Sequence, residues 1–552
     1  MTAPTVSARP AVGDPGQARA SQFAGTGTLV RFQLRRDRIR LPAWVGGLGL
    51  FVIYIGSALP QLAPTEEDLA SVVPLFTQPV GRMFTGPAFG MDDPTYDRFF
   101  AAGYAPYLYL LAALMSILLV TRHTRLEEQT GRAELVRANV TGRYAGLAAA
   151  LIVALITNAL AVVVVTGLAI AVGFAAGGSL LVGLGTGLTG MAFAGITAVT
   201  VQLSEYSRAA AGMAGAVLGA SFVVRALGDM AAVGGSTLSW VSPLGWPAQT
   251  APYVYDRWAP LMLLVALTAV AVVLAYVLQG RRDLGASLMA TRPGPAGANP
   301  SLGTPVGLAA RLQRGGFLAW GTGIALLGIV DGAFTQALID AGEDMPPALQ
   351  EMFGTEGLLD GYVAFLGSFV SVVIAAYTVF AMQTFLAEEG RGRLDAVLAT
   401  PVSRVASLAS HTLVVAVGAV LIALVTGLLT GVAVAGVTGD WTLIGEVLGS
   451  HAGQLPAVLL VLAVCAALCG WAPRLVAPVG WALVGLVFVV QFFDDLLDLP
   501  GWLVALSPFG HLAEIPLEQF ALMPFLVITA LAVGIVGVGL AGIRAREINV
   551  AR

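Results

Sequence analysis

Two charged stretches carry most of the residues in this chain that could do chemistry: RLEEQTGRAELVRANVTGR at residues 125–143 and LAEEGRGRLDAVLATPVSR at residues 386–404. Superposed, they place Glu127 and Glu128 on Glu388 and Glu389, and Gly131-Arg132 on Gly392-Arg393. Further along, Glu134 falls on Asp395, Val136 on Val397, Ala138 on Ala399 and Arg143 on Arg404. Other reactive residues are sparse. Cys465 and Cys469 sit four apart and share a helix face, but structural metal sites want about four ligands, so they read as small apolar packing residues. His123, His411, His451 and His511 are scattered without H-E-x-x-H or comparable spacing, and no metal is assigned. All 29 basic residues are arginines. A phosphate-binding loop of the G-x-x-x-x-G-K-[ST] type needs its lysine on the nucleotide phosphates, and this chain cannot supply one.

The elements that must position these residues follow from composition. The 552 residues are 57% apolar and only 11% charged, with a mean hydropathy of +0.82. Such a chain is a membrane protein. Its apolar runs are continuous and about 20 residues long, as helices spanning some 30 Å of hydrocarbon require. A barrel would instead alternate apolar and polar residues. Spans are expected at 43–60, 101–121, 146–172, 180–203, 209–228 and 258–279, then at 316–334, 362–385, 407–435, 454–471, 475–493 and 520–542. A disordered tail is expected over 1–24, a first six-helix half over 25–283, a Gly/Pro-rich linker over 284–306 and a second half over 307–552. With a cytoplasmic N-terminus, only Arg82, Arg98, Arg225 and Arg257 fall at or beyond the outer ends, while about two thirds of the acidic residues lie outside. That is the positive-inside partition.

The fold class expected is therefore an all-α polytopic membrane protein, with twelve transmembrane helices as two parallel six-helix repeats and both termini cytoplasmic. Trp44 aligns with Trp320, Met83-Phe84 with Met352-Phe353, and Ser242-Pro243-Leu244-Gly245 with Ser507-Pro508-Phe509-Gly510. Parallel repeats of six spans imply a pseudo-two-fold axis along the membrane normal, with a pathway between the halves. Both charged stretches follow the second span of their half. In the second, Leu394, Val397, Leu398 and Pro401 fall at i, i+3, i+4 and i+7 on one face of a short helix; in the first, Ala133, Val136 and Val140 do so more weakly. An apolar stripe of this kind at a membrane surface predicts a protein partner, and two copies predict two partner sites.

The pattern E-E-x-x-G-R-x-[DE], followed by a short helix ending in TPVSR, resembles the loop after the second helix of type-2 ABC-exporter permeases. SPLGW and SPFGH before each last span also fit. With both halves in one chain, the sequence is most similar to the tetronasin-type or multidrug permeases of that class over about residues 30–550. The first copy departs, reading RANVTGR where LATPVSR is expected. The resemblance implies that each loop helix docks on a separate ATP-binding subunit, two copies per permease, which holds the ATP and magnesium; this chain has no cofactor and is not itself an enzyme. It implies that an arginine-rich helix before the first span lies along the membrane surface. Arg35, Arg36 and Arg38 in the first half, and Arg311 or Arg314 in the second, are expected to pair with the glutamates and orient the loops. The segments around Ser242, Pro243 and Gly245, and around Ser507, Pro508 and Gly510, are expected to dip into the outer leaflet as an exit gate. The expected cargo is a lipophilic or amphipathic compound, a drug, antibiotic or lipid, carried out across a bacterial inner membrane with no nucleic acid involved.

Three further readings complete the picture. Arg225 pairs with Asp229 or snorkels, in preference to binding substrate. Trp240, Trp246, Tyr253, Tyr255, Trp258 and Trp502 read as an aromatic belt. The competing function is a proton-coupled transporter of six-plus-six architecture, which would need carboxylates deep in the spans.

Overall fold

The computed structural model describes residues 22–137, 141–283, 285–289, 297–341, 357–497 and 499–546. Most of the tail expected over 1–24, much of the linker, and Met352-Phe353 lie outside them. Among the described residues the chain is helical, without strands, and it divides into two compact units, Met1–Pro293 and Gly294–Arg552.

In the first unit, α1 (Thr26–Arg36) precedes the span α2 (Arg40–Leu62). After short helices that include α3 (Pro79–Thr85), the second span contains α4 (Ala105–His123) and runs into α5 (Arg125–Gln129) and α6 (Arg132–Arg137). Four more spans follow: α7 (Ala145–Ala171), α8 (Ala176–Leu203), α9 (Ser207–Ala231) and α10 (Ala259–Gln279). The second unit keeps the same order: α11 (Pro305–Ala341), α12 (Leu358–Gly390), α13 (Arg393–Leu398) and α14 (Arg404–Thr438). Then come α15 (Leu443–Gly453) with α16 (Leu455–Trp471), α17 (Val476–Leu497) and α18 (Leu522–Ala545). Twelve helices are long and apolar enough to cross a membrane, one at each expected span.

The halves begin differently. Pro42 lacks the N–H that would continue a helix from the preceding turn, so the chain breaks around Asp37 and α1 separates from α2. No proline follows Pro305 within α11, which is continuous over 37 residues. Residues 22–24, placed in the tail by sequence, are instead pinned: Gly142 N–H donates to the Ala24 carbonyl at 2.9 Å and Tyr144 N–H to that of Gln22 at 3.0 Å. Phe23 also meets the rings of Tyr144 and Tyr276.

With no hydrophobic drive between helices in lipid, small residues that allow close approach must hold the bundles. A Cβ on Gly183 would lie 2.1 Å from Thr166 Oγ1 of α7, and one on Gly190 would lie 1.9 Å from Asn158 Oδ1. In the second unit Gly328 of α11 faces Thr430 of α14 at 2.3 Å by the same measure, and Gly470 of α16 faces the Gly539 carbonyl of α18 at 2.2 Å.

Candidate functional site

Both charged stretches fold alike because of one glycine each. Gly131 (φ +71°) and Gly392 (φ +68°) adopt the left-handed conformation that turns the chain out of its long helix into α6 and α13. A side chain there would be strained, which accounts for the glycine in E-E-x-x-G-R.

In the first unit, Glu127 takes the Arg36 guanidinium at 2.5 Å and stands 3.8 Å from Arg132. Glu128 receives a fork from Arg282, at 2.9 Å from Nη1 and 2.8 Å from Nη2, and also pairs with Arg125. Arg125 is 1% exposed and extends the cluster to the carbonyls of Ser204 and Ala286. Just above, Asp37 meets His123 Nε2 at 2.7 Å and Arg122 at 3.1 Å. Arg143 caps the C-terminus of α10, donating to the carbonyls of Gln279, Gly280 and Arg282 at 3.0–3.1 Å. Those carbonyls have no partner within the helix, and a cation beside them is favourable. Arg35 and Arg38 are exposed, and among the described residues neither makes an ion pair with a glutamate.

The second loop uses other partners. Arg393 closes on Glu388, its Nε donating at 2.6 Å. Glu389 accepts both Arg546 Nη1 at 2.7 Å and Nη2 at 2.8 Å. Arg404 donates to the Arg546 carbonyl at 2.7 Å. The expected pairing with Arg311 or Arg314 is thus corrected: both carboxylates are engaged elsewhere, and those arginines sit exposed on the first turns of α11. Arg546, just past the end of α18, carried no sequence signal beyond its charge.

The apolar stripe needs correction as well. Leu394 is 4% exposed within the core of the second unit, and Val397 and Leu398 pack against the same core. Their face is spent internally, leaving Arg393, Asp395, Ala399, Thr400 and Pro401 outward. In the first loop Glu134 and Leu135 are exposed; the side chain of Val136 and residues 138–140 lie outside the described ones. The departing sequence has a visible effect here. Ser403 caps α14 by accepting the Ala406 N–H at 3.0 Å, whereas Gly142 stands in its place before α7 and offers no cap.

At the opposite end, Arg225 and Asp229 pair at 3.2 Å, both buried. Arg82 of α3, given only an outer location by sequence, donates to the carbonyls of Asp229 and Met230 at 2.9 and 2.8 Å, and Ser239 Oγ donates to Asp229 Oδ1 at 2.6 Å. Ser242 follows this cluster, its hydroxyl donating to the Ser221 carbonyl at 2.6 Å; Pro243 is half-buried and Gly245 abuts Ser239. Ser507 is likewise buried and Pro508 half-buried, but Gly510 faces open space. Trp240, Tyr255, Trp258 and Trp502 are exposed as a belt requires. Tyr253 instead turns inward, its hydroxyl 3.0 Å from Ser179 Oγ.

The family described as multidrug efflux system permease Rv1217c, C-terminal domain, matches residues 27–278 and 302–544. The multidrug efflux system permease protein Rv1217c of Mycobacterium tuberculosis (strain ATCC 25618 / H37Rv) is 36% identical over 551 residues, covering 98% of both chains. With twelve helices able to span a bilayer and this match along its length, the chain belongs to the Rv1217c family of multidrug efflux system permeases, as a multi-pass protein of the bacterial inner membrane.

Proposed function

We propose that this chain is the membrane subunit of an ATP-driven exporter that moves lipophilic or amphipathic compounds outward by alternating access. Two copies of a separate ATP-binding subunit, carrying ATP and magnesium, would dock on the two loops. The observation that carries this reading is the bracing of α13: Glu388, Glu389, Arg393 and Arg546 fix its orientation while its outer face stays free. A lever must be rigidly attached at one end and open at the other. Docking is assigned to that small and polar outer face, since the apolar stripe is buried. Reversing a 1:99 conformational preference takes about 5.5 kcal/mol of differential binding. Closure of a nucleotide-bound pair can supply this, whereas a cargo with similar affinity for both conformations cannot.

The test is reconstitution with the cognate ATP-binding subunit. Replacing Glu388 and Glu389 by Arg should abolish cargo-stimulated ATP hydrolysis while the permease still inserts in the membrane; normal stimulation would reject the assignment. One observation favours a second reading. Asp331 lies in the α11 span with its Oδ2 buried and without a hydrogen-bond partner, a carboxylate that a proton-coupled carrier could use. Uphill transport without any ATP-binding subunit, driven by a proton gradient and lost in Asp331→Asn, would establish that reading instead.

A further inference from the structure

Within the second unit, α11, α12 and α14, with residues 299–302, line an open pocket of about 470 Å³, inside the range of roughly 300–1,000 Å³ typical of sites for drug-sized ligands. Its rim carries Arg311 and Arg314, neither of which has an ion-pair partner among the described residues. Its walls are apolar, with Phe317 from α11 and Leu421 from α14. Tyr377 of α12 lines it too; the residue is 1% exposed and its hydroxyl has no hydrogen-bond partner. Gly418 lets that hydroxyl pack directly against α14, since a Cβ there would come within 2.6 Å of Tyr377 Oη and 3.2 Å of Phe317.

Polarity in the cavity is graded. Arg311 and Arg314 precede the apolar run of α11 and belong at the interfacial depth, where guanidinium groups stay hydrated. Phe317 and Leu421 lie further along their helices, toward the hydrocarbon. We infer that this pocket binds a lipophilic organic anion: its carboxylate or sulfonate sits on Arg311 and Arg314, and its apolar body runs along Phe317 and Leu421. A space of this size suits one chain or a fused-ring body better than the paired acyl chains of a phospholipid, so the occupant is cargo rather than bilayer lipid. Binding is independent of how transport is driven; only the outward fate of the ligand rests on the proposed efflux function.

The experiment uses the full chain in phosphatidylcholine nanodiscs without any ATP-binding subunit. It titrates dansylaminoundecanoate by fluorescence, beside its uncharged methyl ester and cationic dansylcadaverine. The acid should bind at least about tenfold more tightly than either analogue, the order of a lost charge-assisted hydrogen bond. Arg311→Gln with Arg314→Gln, on exposed positions that fold does not depend on, should erase that preference. Gly418→Leu should exclude the acid. Equal binding of acid and ester, or an acid affinity untouched by the double arginine replacement, would overturn the proposal. Saturable displacement by phosphatidylglycerol at a few mole percent would assign the cavity to a lipid and overturn it as well. Failure of ATP-driven transport in vesicles, with this binding intact, would sink the efflux reading and leave the cavity standing.

Discussion

Replacing Glu389 by Gln tests the bracing of the second loop directly. The carboxylate takes both terminal nitrogens of Arg546 at 2.7 and 2.8 Å, with the two side chains 7% and 12% exposed, and Arg546 Nε is itself buried without a partner. The amide would leave one acceptor and a guanidinium stripped of its counter-charge. Breaking a buried pair from one side costs about 3–5 kcal/mol; with one hydrogen bond retained, about 2–3 kcal/mol is expected. For a cooperative unit of this size that lowers the thermal midpoint by roughly 5–10 °C. A cycle of Glu389→Met, Arg546→Met and the double variant, followed by tryptophan fluorescence in micelles, isolates the pair. The double variant should be less destabilised than the sum of the singles by at least about 1 kcal/mol. Additive losses, or single losses below about 1 kcal/mol, would refute the claim that this pair fixes α13.

In the first loop the two glutamates should separate. Glu128→Gln, whose partners Arg125 and Arg282 are 1% and 5% exposed, should cost about 3 kcal/mol, while Glu127→Gln, facing the more exposed Arg36 and Arg132, should cost about 1 kcal/mol or less in midpoint measurements. Gly228→Ala would set a Cβ 2.3 Å from the Ser239 nitrogen, costing about 1–3 kcal/mol, whereas Gly219→Ala on the same helix meets nothing within 4 Å and should stabilise by up to about 1 kcal/mol. Glu514, outside the spans, has its carboxyl pushed above the ordinary carboxylate range, first by burial and then by Glu518, against a hydrogen bond from Gln491. The folded state therefore holds this proton more tightly than the unfolded state, so stability declines as pH rises from the ordinary carboxylate range through the raised value. Glu514→Gln should flatten that part of a midpoint-against-pH curve and leave the protein steadier at neutral pH; an unchanged curve would contradict it.

The twelve spans were legible because hydrocarbon imposes one rule on length and apolarity, which needs no tertiary information. The Arg225–Asp229 pair was legible too, four residues apart on one helix. The partners of the loops were less so. Arg36 could be guessed because it lies on the helix that precedes the first span, but Arg282 and Arg546 reach Glu128 and Glu389 only through the packing of α10 and α18, which local sequence does not encode. The stripe of Leu394, Val397 and Leu398 was seen correctly as a stripe and assigned to the wrong neighbour, since periodicity says which residues share a face and not what the face meets. Arg82 was placed at the outer side by charge, but its role was not legible for the same reason: its acceptors are backbone carbonyls of Thr77, Asp229 and Met230, and any sequence presents carbonyls.

The order in which the two loops acquire their braces follows from chain direction. Arg36 leaves the ribosome before Glu127, so the first loop meets an arginine as soon as its own helix emerges, although Arg282 must wait for the sixth span. Glu389 must wait for Arg546, which is translated after all twelve spans. A nascent or truncated permease stalled short of that arginine would carry a second loop helix without its anchor, and under the proposed function could not engage an ATP-binding subunit before insertion is finished. Assembly would thereby acquire a checkpoint from a single ion pair.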